Sequence, residues 1–94
     1  MDEAKKTSKK IQIQAGEDVS LGRFSNSMFI GHGPEEFIID WLLNSPTGAH
    51  LVSRVIVSPG HVKRIINALI DNLKRYEEKY GEIKLVEPDE QQLH

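Results

Sequence analysis

One stretch, Ser58 to Gly81, constrains this chain more than any other. Ser58 has an oxygen suited to capping a helix N-terminus. Pro59 follows at the first helical position, where its missing N–H costs nothing. Val62, Ile65, Ile66, Leu69, Ile70, Leu73, Tyr76 and Tyr80 then recur at helical spacing. At 100° per residue they fill a stripe about 140° wide. Lys63, Arg64, Asn67, Asp71, Lys74, Arg75 and Glu78 fall largely outside it. Gly81 stands where a left-handed C-cap belongs, and Lys79 complements the negative end of the dipole. The spacing predicts one helix over 59–80, about 33 Å long at ~1.5 Å per residue.

Upstream, the period changes from 3.6 to 2. Ile11-Gln12-Ile13-Gln14 alternates as a short strand would. Phe24, Met28 and Ile30 share one parity of a second strand, which ends at the breakers Gly31-His32-Gly33-Pro34. Glu36 to Leu43 reads as a third strand, with Phe37, Ile39, Trp41 and Leu43 on one face and Ile38 and Leu42 flanking Asp40 on the other. Asn44-Ser45-Pro46-Thr47-Gly48 is a turn signal, and Leu51 to Val57 a fourth strand with Val52 and Ile56 flanking Arg54. A hairpin centred on Thr47 sets Leu43 opposite Leu51, Ile39 opposite Val55 and Phe37 opposite Val57. The same register sets Asp40 opposite Arg54, a structural ion pair that matches the apolar pairing. The expected fold class is α+β: a short antiparallel sheet of about four strands followed by one long C-terminal amphipathic helix.

Such a sheet is only about 15–20 Å across, so the helix should overhang it, and one helix covers one face. The other face, with Ile38, Leu42, Val52 and Ile56, needs a second cover. A second copy of the chain is the expected one, giving a dimer or tetramer. The alternative is that the N-terminal segment or Ile83-Lys84-Leu85-Val86 folds back over it.

Ninety-four residues allow one domain. We divide the chain into a basic, disordered arm at 1–10, a folded domain at 11–83 and an acidic tail at 84–94. The arm carries four lysines against Asp2 and Glu3. With about 75 residues to fold, a lone core is marginal without a staple or partner. Cysteine is absent, which excludes disulfides and thiolate metal sites and fits the cytoplasm. No apolar run reaches the ~18 residues of a membrane span.

Signals of chemistry are sparse. His32 and His61 could meet at one end of the sheet, but hairpin topology places His50 at the other, which disfavours a three-histidine metal site. Ser58 lies on a strand-to-helix turn near His61, but capping already explains a serine there. Gly31-His32-Gly33 lacks the spacing of a phosphate loop. We expect no catalytic residue, metal or cofactor. A basic helix face, Lys63, Arg64, Lys74 and Arg75, makes nucleic acid the second partner class after a protein or peptide.

The Ser53-Arg54-Val55-Ile56-Val57-Ser58-Pro59 block and the helix after it resemble a bacterial and archaeal family known as domain of unknown function 3467. Asn26, Glu36-Phe37, Asp40, Lys63, Ala68-Leu69, Asn72-Leu73, Tyr76-Glu77, Gly81 and Ile83 carry the likeness, over residues 11–85. Trp41 stands where phenylalanine is expected. The resemblance implies little about activity, because the family is functionally uncharacterised. The order of strands then helix is also similar in outline to the SecB-type export chaperones, at the level of fold alone.

Overall fold

The computed structural model describes residues 11–86. The expected arm at 1–10 and the end of the expected tail lie outside them. Five elements follow in order: α1 (Glu17–Leu21), β1 (Ser27–His32), β2 (Phe37–Ser45), β3 (Gly48–Val57) and α2 (Pro59–Tyr80). The strands form one antiparallel sheet in the order β1-β2-β3. The fold is therefore α+β, a short antiparallel sheet followed by one long helix.

The sheet has three strands, not four. Ile11 to Gln14 is not a strand, and Ile11 and Ile13 are 83% and 87% exposed. Four alternating residues carry a face preference but no pairing partner, and an isolated extended segment gains nothing without one. The chain instead makes the short helix α1, bounded by Gly16 and Gly22. A polar clasp starts β1. The backbone N–H of Asn26 and the Ser25 hydroxyl both donate to the Leu42 carbonyl, at 3.1 and 2.8 Å. The Asn26 amide donates to the Asn44 carbonyl (3.0 Å) and accepts from the Asn44 N–H (2.8 Å). One side chain thus stands in for a ladder residue beyond the end of β1. The far end closes through the Gly33 N–H on the Glu36 carbonyl.

The β2–β3 register follows the expectation over its first half. Phe37 pairs with Val57, Ile39 with Val55 and Asp40 with Arg54. Between Trp41 and Leu42 it shifts by one: Trp41 faces Ser53 but Leu42 faces Leu51, leaving Val52 as the extra, bulged residue. Leu43 consequently pairs with His50, correcting the predicted Leu51. The cause is the turn. Only Pro46 and Thr47 connect the strands, and Gly48 follows at φ +123°, a conformation side chains disfavour. A two-residue loop imposes a register one step from the one the charged pair sets, and the bulge absorbs the difference.

Arg54 Nε and Nη2 donate to the two carboxylate oxygens of Asp40 at 2.7 and 2.9 Å. This fork holds the Asp40 carboxyl below its ordinary pKa of 3.8, and partial desolvation opposes the shift. A depressed folded-state pKa stabilises the fold above the unfolded value and is lost as pH falls through the folded one. The stability gap between the wild type and Asp40→Asn should therefore be full at neutral pH and shrink below about pH 4, which urea melts at stepped pH measure.

Helix α2 matches its predicted bounds. Ser58 Oγ accepts the His61 N–H at 3.3 Å, and the Gly81 N–H donates to the Glu77 carbonyl at 2.9 Å. Gly81 differs from the expected left-handed cap: at φ +99°, ψ 168° it turns the chain sharply outward in a region open to glycine. The placement of α2 overturns a larger expectation. Among the described residues, extensive packing joins only β1 to β2 and β2 to β3. The helix lies along neither face of the sheet, and none of its residues is buried. Ser58 is the only residue between β3 and α2, too short a link to fold the helix back over its own sheet. Ile39, on the central strand between Ile30 and Val55, is the one buried apolar side chain among the described residues, at 9% exposure.

Candidate interaction surfaces

Three surfaces stand open. The first is the sheet face proposed to take a partner. Ile38 and Ile56 pair directly across β2 and β3, and Leu42 lies further along the same face of β2. The structure thus brings these three to one side. Val52 is separated from them by the bulge, and Leu51 takes the place opposite Leu42. Ile38, Leu42 and Val52 are half-buried, whereas Ile56 is 61% exposed. Neither of the expected alternative covers is in place, since Ile11, Ile13, Leu85 and Val86 are all exposed.

The second is a shallow recess of about 770 Å³ beside the bulge, lined by Val19, Phe24, Arg23, Trp41, Val52 and Ser53 among others. Phe24 and Val19 are largely exposed within it, so α1 leans over this corner without sealing it.

The third surface was underweighted in the sequence. Because α2 stands off the sheet, its apolar stripe is open from Ile66 onward, while Val62 and Ile65 near its start are half-buried. Ile66, Leu69, Ile70, Leu73, Tyr76, Tyr80 and Ile83 are between 44% and 65% exposed. Weighted by those exposures, the seven residues present on the order of 800 Å² of surface. A standard protein interface takes ~800 Å² from each partner. The aromatic end is ordered within itself: the Tyr76 and Tyr80 rings lie 4.9 Å apart, and Lys79 Nζ sits 5.3 Å from the Tyr80 ring centre. The sequence pattern pointed to Glu77 only through the family likeness, not as a member of the stripe. It lies inside the angular range of the stripe, between Ile66 and Ile70, and its Oε2 accepts the Ile83 N–H at 2.9 Å. Its half-buried state follows from that bond. Counting every stripe position at 100° per residue would have found it.

The basic residues fall into two pairs. Lys63 with Arg64, and Lys74 with Arg75, are eleven residues apart on an unbroken helix. Three helical turns nearly restore the direction, so the pairs share one face about 16 Å apart. Arg75 is engaged with Asp71 at 2.8 Å, an exposed pair one turn apart. His32 stacks on Phe37 with ring centres 5.3 Å apart. Among the described residues, no three histidine or acidic side chains converge as metal ligands would, and no helix is long and apolar enough to cross a membrane.

No curated protein and no solved structure matches the chain. A family model described as a protein of unknown function (DUF3467) matches residues 1–85. That span takes in the Asn26 clasp, the Asp40–Arg54 fork, the Ser58 cap and all of the exposed helix stripe. The chain belongs to the DUF3467 family.

Proposed function

We propose that this protein is a non-enzymatic assembly module, which completes its own core by self-association and offers its remaining apolar surface to a protein or peptide partner. The observation that carries this reading is the α2 stripe, a full-length amphipathic helix with no apolar side chain buried against its own sheet. A helix of this size gets most of its stability from tertiary packing of its apolar face, and within one chain that packing reaches only the half-buried Val62 and Ile65. The open pair Ile38–Ile56 and the neighbouring Leu42 offer a second, smaller apolar surface for a partner once the helices are covered. A fold completed by association melts at a temperature that depends on concentration. The thermal midpoint should rise by several degrees over a hundredfold increase in protein concentration, read by circular dichroism at 222 nm. A midpoint independent of concentration would count against self-association.

A second reading, nucleic-acid binding, is favoured by the placement of Lys63, Arg64, Lys74 and Arg75 on one helix face. Counterion release then predicts that affinity for duplex DNA falls steeply between about 50 and 200 mM salt. No mobility shift at low salt removes it.

A further inference from the structure

The exposed stripe has a finer order than an amphipathic helix requires. Val62, Ile66, Leu69, Leu73, Tyr76, Tyr80 and Ile83 follow one another at steps of four, three, four, three, four and three. That alternation is the seam of a two-stranded coiled coil, in which each knob fills a hole on the facing helix. Six of the seven lie within α2, and Ile83 follows just beyond it.

The flanks of the seam say how a second helix would run. One flank carries Lys63, Ile70 and Glu77, spaced by seven residues, so that the cation and the carboxylate lie symmetrically about Ile70. The other carries Ile65, Asn72 and Lys79. In a parallel pair, opposite flanks face each other five residues apart. Asn72 would meet Glu77, and Lys79 would meet Lys84, with no opposite charges joined. In an antiparallel pair, like flanks face each other. Lys63 then meets Glu77 of the second copy, Ile70 meets its own counterpart, and Glu77 meets Lys63 again.

We propose that two copies of this chain pair through α2 as an antiparallel coiled coil, with the two-fold axis near Ile70 and Asp71. This deepens the assembly reading above and rests on it. The core layers are Val62 with Tyr80, Ile66 with Tyr76 and Leu69 with Leu73, each occurring twice. Two Lys63–Glu77 pairs flank them and set the direction and register. The exposed area of the stripe is what a standard dimer interface takes from each partner. An antiparallel pair also places the two sheets at opposite ends, leaving the Ile38–Ile56 face of each free.

The test uses two single variants of the full chain, Lys63→Glu and Glu77→Lys, apart and mixed. Each alone puts like charges together twice per dimer, which should weaken its own dimer about tenfold. Mixed, the carboxylate introduced at 63 meets the lysine introduced at 77 while the two native side chains meet each other. The heterodimer should therefore dominate in native mass spectrometry, well above the statistical half. Lys74→Glu, outside the seam, serves as the control and should dimerise as the wild type does. A statistical mixture, with both variants dimerising normally, overturns the antiparallel register while leaving self-association standing. A monomeric wild type overturns both. Glu77→Lys also removes the bond to the Ile83 N–H, so the Lys63→Glu dimer alone must weaken for the proposal to hold.

Discussion

Leu69→Lys is expected to leave the protein monomeric at micromolar concentration, where the proposed assembly would hold the wild type together. Leu69 stands near the middle of α2 and is 62% exposed in the isolated chain, so the cost falls on association. Burying a leucine side chain is worth roughly 1.5–3 kcal/mol. In a two-fold interface the substitution acts twice, for about 3–6 kcal/mol, a rise of some 10²–10⁴ in the dissociation constant. Leaving an ammonium against the apolar seam adds to this. Glu78→Lys, on the opposite side of the helix, makes the comparison fair: it introduces the same group and should leave the dissociation constant within a few-fold of the wild type. Sedimentation velocity of the two variants side by side measures the difference.

Ile39→Ala acts on the sheet. Ile39 is the one buried apolar residue among those described. It sits on the central strand with Ile30 and Val55 as its cross-strand neighbours. Truncation removes three carbons from the one apolar side chain that the described sheet buries, and such changes cost about 2–5 kcal/mol. A domain of this size holds about 4–11 kcal/mol in total, so the variant should lose a large share of its stability. Chemical denaturation at fixed protein concentration should show a lower midpoint with the slope unchanged. Ile56→Ala removes the same atoms from a side chain that is 61% exposed and should cost well under half as much.

The fold was legible in the sequence wherever the information is local or charge fixes a pairing. Ser58, Pro59 and Gly81 bound the helix by their own chemistry, and the structure places it at Pro59–Tyr80. Asp40 and Arg54 locked half of a register that apolar alternation alone would have left open, since a one-residue slip keeps some apolar contacts but parts opposite charges. The turn was misjudged by one step because five turn-forming residues in a row do not say which two will make the loop. The bulge at Val52 follows from that choice.

The tertiary arrangement was much less legible. An apolar stripe shows that a helix must be covered, but not by what. Covering the sheet with α2 was the economical expectation, and the single-residue link at Ser58 defeats it. The Asn26 clasp lay hidden because its partner Asn44 is eighteen residues away, and Asn26 falls inside the strand expected from Phe24 to Ile30, whereas β1 begins only at Ser27. Several residues that carry the family resemblance prove to be fasteners of this kind. Asn72 Nδ2 donates to the Ala68 carbonyl at 2.9 Å, and Glu77 ties down Ile83. They hold the framework on which the exposed seam is displayed.

If self-association completes this fold, one chain does not complete it alone. Native mass spectrometry of the wild-type protein over a tenfold range of concentration tests it most directly. A dimer, or a tetramer built from dimers, is expected, with no added mass and with monomer appearing only on dilution. A monomer at every concentration would contradict it, and an adduct of constant mass on that monomer would identify another occupant for the stripe of α2.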